Sequence, residues 1–147
     1  MSDAAYQQRT AAFAAMLIKQ ASWPAAIVIA GDSVAPLVAS ARGALHAPFS
    51  VLALLVAAAS AVVVLGLSAL LAFDALLFRL MASYDDELSG GAAVDDVLAR
   101  MRLKPAPSVP RALDDRIAGT RKLLARQRIA FAIFVVAFLT AGFWMPR

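Results

Sequence analysis

Three pairs of neighbouring carboxylates, Asp85/Asp86, Asp95/Asp96 and Asp114/Asp115, come nearest in type and spacing to general acid–base chemistry. That chemistry needs two carboxyls facing one substrate in surroundings that push their pKa values apart. Each pair falls instead at an expected helix start or loop exit, where the helix dipole favours acids, so capping and solvation account for them. The chain has no cysteine and a single histidine, His46, which excludes thiol nucleophiles, disulfides, zinc–thiolate sites and multi-histidine metal centres. Ser89-Gly90-Gly91 is too short and badly placed for a phosphate-cradling loop. No cofactor is implied, and an enzyme is not expected.

Two other sets of charges carry a functional reading. Arg121, Lys122, Arg126 and Arg128 form a basic run that suits an anionic ligand, or a collar against lipid phosphates. Asp32 and Asp74 are carboxylates in or beside apolar runs. Asp32 reads equally well as a local cap, with Gly31 ending one helical segment and Asp32 or Ser33 starting the next, or as a functional intramembrane carboxylate. Asp74 reads as an interfacial charge able to pair with a basic residue of the last helix.

The elements that must position these residues are membrane elements. The 147-residue chain is 62% hydrophobic and 16% charged, with a mean hydropathy of +0.75, against roughly 45–50% apolar and 25% charged in a soluble domain. Residues 47–73 contain no charge. As a helix, 48–73 spans roughly 40 Å, more than the hydrocarbon core of a bilayer. A formal charge of +4 and a pI of about 10.1 then mark flanks that face anionic lipid, not a nucleic-acid partner. The first residues lack a basic n-region and compact apolar h-region, so no cleavable signal is expected.

The expected architecture is one all-α integral membrane domain over 1–147. Residues 4–20 read as an interfacial helix, because Lys19 disfavours a span centred there. Ser22-Trp23-Pro24 reads as a helix start. Residues 24–41 carry Gly31, Asp32, Ser33 and Pro36, so they cross as a kinked span or dip in as a re-entrant element. The main span covers 48–80. Along it Ala53, Ala57, Ala61, Ser68, Ala72 and Ala75 make a ridge of small residues where another helix can approach closely. A polar loop follows over 81–127, with Ser89-Gly90-Gly91 as a break and an amphipathic helix over 92–103 carrying Val94, Val97, Leu98 and Met101 at helical spacing. Pro105, Pro107 and Pro110 form a stiff connector. A long last helix begins at Pro110, with Leu113, Ile117, Thr120 and Leu124 on one side of its polar half. It ends in a span over 129–145, closed by Trp144 and Arg147.

Ten of the fourteen Lys and Arg residues lie between Arg79 and Arg128. The positive-inside rule places that loop in the cytoplasm and the C-terminus outside. Three spans put the N-terminus inside; two spans with a re-entrant segment put it outside.

Two segments carry a family resemblance. Asp32-Ser33-Val34-Ala35-Pro36-Leu37 followed by Gly43-Ala44-Leu45 resembles the "A-D-x-K-A" helix and "N-G-A-L" turn of Pycsar-type transmembrane effectors, small bacterial antiphage membrane proteins. Leu123 to Ala132 is similar to the basic entry into that family's final span, and the order of parts agrees over residues 10–145. Val34 stands where the family has Lys, Gly31 where it has Ala, and Arg42 where it has Asn. The resemblance implies an effector that impairs the membrane when a cyclic pyrimidine mononucleotide appears, with Asp32 as a structural or gating position. The residues themselves leave a second class open, a non-catalytic accessory or scaffold subunit of a larger membrane complex. The expected partners are the lipid bilayer and either further copies of the chain or a membrane-complex partner. Ligand-free, holin-like pore formation suits the long cytoplasmic loop less well.

Overall fold

The structure is a computed structural model that describes residues 3–41, 47–103 and 111–143. Its described residues form four helices: α1 (Asp3–Ala41), α2 (Pro48–Ala82), α3 (Glu87–Arg100) and α4 (Leu113–Phe143). Three of them, α1, α2 and α4, are long and apolar enough to cross a membrane. The turn around Gly43-Ala44-Leu45, the proline connector, Trp144 and Arg147 lie outside the described residues.

The two expected N-terminal elements are one helix. Residues 4–20 and 24–41 belong to a single 39-residue α1 that runs through Pro24 and Pro36. Ser22-Trp23-Pro24 is therefore interior, and 24–41 continues the same helix without a break. The reason is a buried stripe on α1: Tyr6, Thr10, Ala14, Leu17, Ala21, Pro24 and Val28. Its alternating steps of three and four hold one narrow face of the helix inward. Each proline removes only one backbone bond, and where water is scarce an open break in the helix costs more than a local adjustment.

α2 and α4 carry similar stripes. On α2 it is Ala57, Ala61, Val64, Ser68, Leu71, Ala75 and Phe78. On α4 it is Leu113, Ile117, Thr120, Leu124, Gln127, Ala130, Phe134 and Ala137. The chain divides into two compact units, each drawing on all three long helices: Met1–Gln20 with Leu70–Leu123, and Ala21–Ala69 with Leu124–Arg147.

The first unit joins an apolar core to polar ties. Phe13 meets Phe78 edge to face at 4.8 Å. Gln7 donates to the Tyr84 carbonyl at 3.2 Å and to Asp85 at 3.1 Å, and Arg9 pairs with Asp114 at 2.6 Å. α3 begins five residues earlier than expected because Asp86 caps it, accepting from the Ser89 backbone N–H and the Ser89 hydroxyl, each at 2.8 Å. Gly90 and Gly91 thus lie inside the helix, not at a break. A β-carbon at Gly90 would stand 2.5 Å from Tyr6 Oη and 3.1 Å from the Met81 carbonyl oxygen, so glycine is what lets α3 approach. α3 ends in a Schellman motif: Leu103 N–H donates to Leu98 O and Arg102 N–H to Ala99 O. Arg102 holds the left-handed position at φ 55°.

The second unit is apolar throughout its core. Val28, Ala57, Ala61, Val64, Ala130, Phe134 and Ala137 form it, with Leu65, Phe131, Val135 and Phe138 packed against it. Small residues on α2 and α4 let the backbones come close, and Phe134 fills the remaining space against Gly31, where a β-carbon would lie 3.1 Å from its ring. One polar contact crosses this core: Gln127 Nε2 donates to Ser68 Oγ at 2.7 Å. The outward faces are apolar too, with Leu37 70%, Val62 71% and Val136 65% exposed. In water each such side chain would forgo roughly 1.5–3 kcal/mol of burial, whereas lipid supplies the apolar surroundings.

Candidate functional site

The site is a cleft of about 340 Å³ inside the first unit. α2 supplies Asp74, Leu77, Phe78 and Met81, and α3 supplies Val94 and Leu98. α4 supplies Asp115, Arg116, Gly119, Thr120 and Leu123, and Arg111 comes from the segment just before it. The floor is apolar and the polar groups come from α4, from Arg111 and from Asp74. The volume sits at the lower end of the range for small-molecule sites, enough for one compact ligand.

Two interactions fix the polar wall. Arg116 donates to Asp95 at 2.8 Å, with the side chains only 10% and 11% exposed. It also reaches the Gly91 carbonyl at 3.5 Å. Its charge is therefore matched by α3, and the pair fastens α3 to α4. Thr120 donates to Asp74 at 2.8 Å, joining α4 to α2. Glu87 accepts from the Leu113 N–H at 2.7 Å and so caps the start of α4 from another helix. At the mouth stand Arg111 and Asp115, both exposed. A β-carbon at Gly119 would meet nothing within 4 Å, so that side of the cleft is open. The Ser89 backbone N–H, followed by the Ser89 hydroxyl, holds the Asp86 carboxyl below the ordinary carboxylate range.

The residues singled out from sequence are distributed as follows. Arg121, Lys122, Arg126 and Arg128 are all exposed on α4, and none lines the cleft. Arg121 and Lys122 belong to the first unit, Arg126 and Arg128 to the second. Asp74 is half-buried in the cleft wall and takes a hydroxyl of the last helix. Asp32 is half-buried in the middle of α1 and caps nothing: a cap needs non-helical backbone, and the helix continues on both sides. The Ser33 hydroxyl donates back to the Ile29 carbonyl at 2.7 Å. Of the small-residue ridge, Ala57, Ala61, Ser68 and Ala75 are buried, Ala53 is half-buried and Ala72 is exposed. Ala72 is thus off the ridge, because the buried face passes from Ser68 to Leu71 and Ala75.

Sequence reasoning missed the Asp95–Arg116 pair, having assigned Asp95 to helix capping. The available signal was positional: Asp95 adjoins Val94 on the inner face of α3, and Arg116 adjoins Ile117 on that of α4. Among the described residues no group of three or more Asp, Glu or His side chains is arranged to hold a metal ion. No protein-family model, characterised protein or solved structure matches the chain.

Proposed function

We propose that the protein is a non-enzymatic membrane effector, with a polar sensing unit on the cytoplasmic side of a bacterial inner membrane and an apolar unit that acts on the bilayer. The observation that carries this reading is the cleft: its walls are α2 and α4, two of the helices long and apolar enough to cross a membrane. A ligand held there touches the spanning elements directly. The trigger implied by the resemblance, a cyclic pyrimidine mononucleotide, suits a cleft of this size, with the apolar floor for the base and Arg111 at the mouth for the phosphate. In this reading the exposed cations Arg121, Lys122, Arg126 and Arg128 serve the lipid phosphates.

The proposed topology has three spans. Residues 1–20 share a compact unit with residues 70–123, which supports placing both on one side of the membrane. Two crossings must then separate them, and α4 makes the third, leaving the C-terminus outside. The cation-rich stretch from Arg79 to Arg128 supports reading the shared side as the cytoplasm.

The test is dye release from liposomes that contain the purified chain. Cyclic CMP or cyclic UMP is expected to release dye from vesicles with the native protein and not with Gly119→Leu, which fills the open side of the cleft. The alternative, an accessory or scaffold subunit, draws on the exposed Leu88, Met101 and Leu103 around α3, apolar side chains outside the spans. Absence of release with either nucleotide, together with a protein partner that co-purifies in fixed ratio, would establish that alternative.

A further inference from the structure

Asp32 is half-buried in the apolar half of α1, between an outward side, where Ile29 is 56% exposed and Pro36 is exposed, and an inward side with Val28 buried. No hydrogen bond or ion pair is given to its carboxyl among the described residues. The preceding residue, Gly31, meets α4: a β-carbon built there would lie 3.1 Å from the Phe134 ring and 3.6 Å from that of Phe138. The portion of α2 in this unit contributes no charged residue. The other charged groups of the unit among its described residues are Arg126 and Arg128, exposed, eight and six positions before Phe134 on α4. An ionised carboxylate in such surroundings has neither solvent nor a counter-charge.

Three hydroxyls of the same unit show one way a polar group is accommodated here. Ser33 donates to Ile29 O at 2.7 Å, Ser68 to Val64 O at 2.8 Å and Thr140 to Val136 O at 2.8 Å, each to the carbonyl four residues back. A neutral carboxylic acid at Asp32 has an O–H for the Val28 carbonyl in the same way, whereas a carboxylate is an acceptor only.

We propose that Asp32 is a proton-binding site facing the lipid, carried as the neutral acid and open to reagents that arrive through the bilayer. Its chemical signature is reaction with a lipophilic carbodiimide. The carboxyl gives its proton to one carbodiimide nitrogen while its oxygen adds to the central carbon. Migration of the acyl group from oxygen to nitrogen then leaves an N-acylurea, with every atom of the reagent retained on the protein.

The test treats the full chain in lipid vesicles with dicyclohexylcarbodiimide at about pH 7, where an ordinary carboxylate is ionised, and locates adducts by mass spectrometry. One adduct is expected, on Asp32. Asp32→Glu should keep the adduct and Asp32→Asn should lose it at unchanged helix content. A water-soluble carbodiimide should label exposed Asp114 and Asp115 and spare Asp32. The proposal is overturned if dicyclohexylcarbodiimide leaves Asp32 unmodified in the folded protein, as it would be when covered by a second copy, or if the water-soluble reagent labels Asp32 as fast as Asp114.

Discussion

The two units draw on the same three long helices yet are held together differently. In the first, the helices are fastened by groups that need each other: Arg116 with Asp95, Arg9 with Asp114, Thr120 with Asp74, and Glu87 with the start of α4. In the second, alanines and phenylalanines fill the core, and one hydrogen bond from Gln127 to Ser68 crosses it. On the proposed topology the difference follows from the solvent that surrounds each unit. Charged pairs hold elements in register where water can reach their rims, while in lipid close backbone approach does the same.

The largest expected effect comes from breaking the buried pair. Asp95→Ala should destabilise the first unit by about 3–5 kcal/mol, because Arg116 is left buried and unmatched; chemical unfolding in detergent, followed by circular dichroism, reads the loss. The matching change in the second unit should behave oppositely. Gln127 Oε1 has no partner among the described residues, and Ser68 retains its bond to Val64. Gln127→Leu should therefore stay within about 1 kcal/mol of the native protein, on the stabilising side. A large loss there would erase the contrast between the units.

Next in size is Gly90→Ala. Helix propensity alone would favour it by up to about 1 kcal/mol, but the added carbon meets Tyr6 Oη and the Met81 backbone. A net loss of about 1–3 kcal/mol is expected. The same substitution in a Tyr6→Phe background should cost measurably less, since the nearest obstacle is gone; equal costs would show that the helices do not meet there.

Arg102→Gly sharpens the account in the other direction. The residue occupies the left-handed position of the Schellman motif, so glycine should raise the melting stability of the first unit by about 1 kcal/mol. The smallest effect concerns pH. The folded Asp86 carboxyl sits below its ordinary range, so its capping contribution is complete above the unfolded carboxylate pKa. It is lost as pH falls through the lower folded value. Asp86→Asn should flatten that acid limb of the stability–pH curve and leave neutral pH little changed.

How much of this was legible in the sequence depends on which contacts are local. The main span followed from the absence of charge between residues 47 and 73, and Leu113, Ile117, Thr120 and Leu124 are buried together as their spacing suggested. α1 was divided because Pro24, Gly31 and Pro36 are helix breakers in water, whereas the inward stripe through Ala21, Pro24 and Val28 keeps it whole. Gly90 looked like a hinge because its reason, Tyr6, is 84 positions away in the chain. Asp95 and Arg116 lie on different helices, and no local pattern links them. The cleft was invisible for the same reason: its walls come from three helices.

The central proposal is that the N-terminal part of α1 and the α3 region lie on one side of the membrane and the C-terminus on the other. The chain has no cysteine, so single cysteines at exposed Gln8, at exposed Arg100 and on a C-terminal extension can each be labelled with a membrane-impermeant maleimide. In inverted inner-membrane vesicles, positions 8 and 100 should label and the C-terminal cysteine should not, with the reverse pattern in intact spheroplasts. Labelling of positions 8 and 100 from opposite sides would contradict the account.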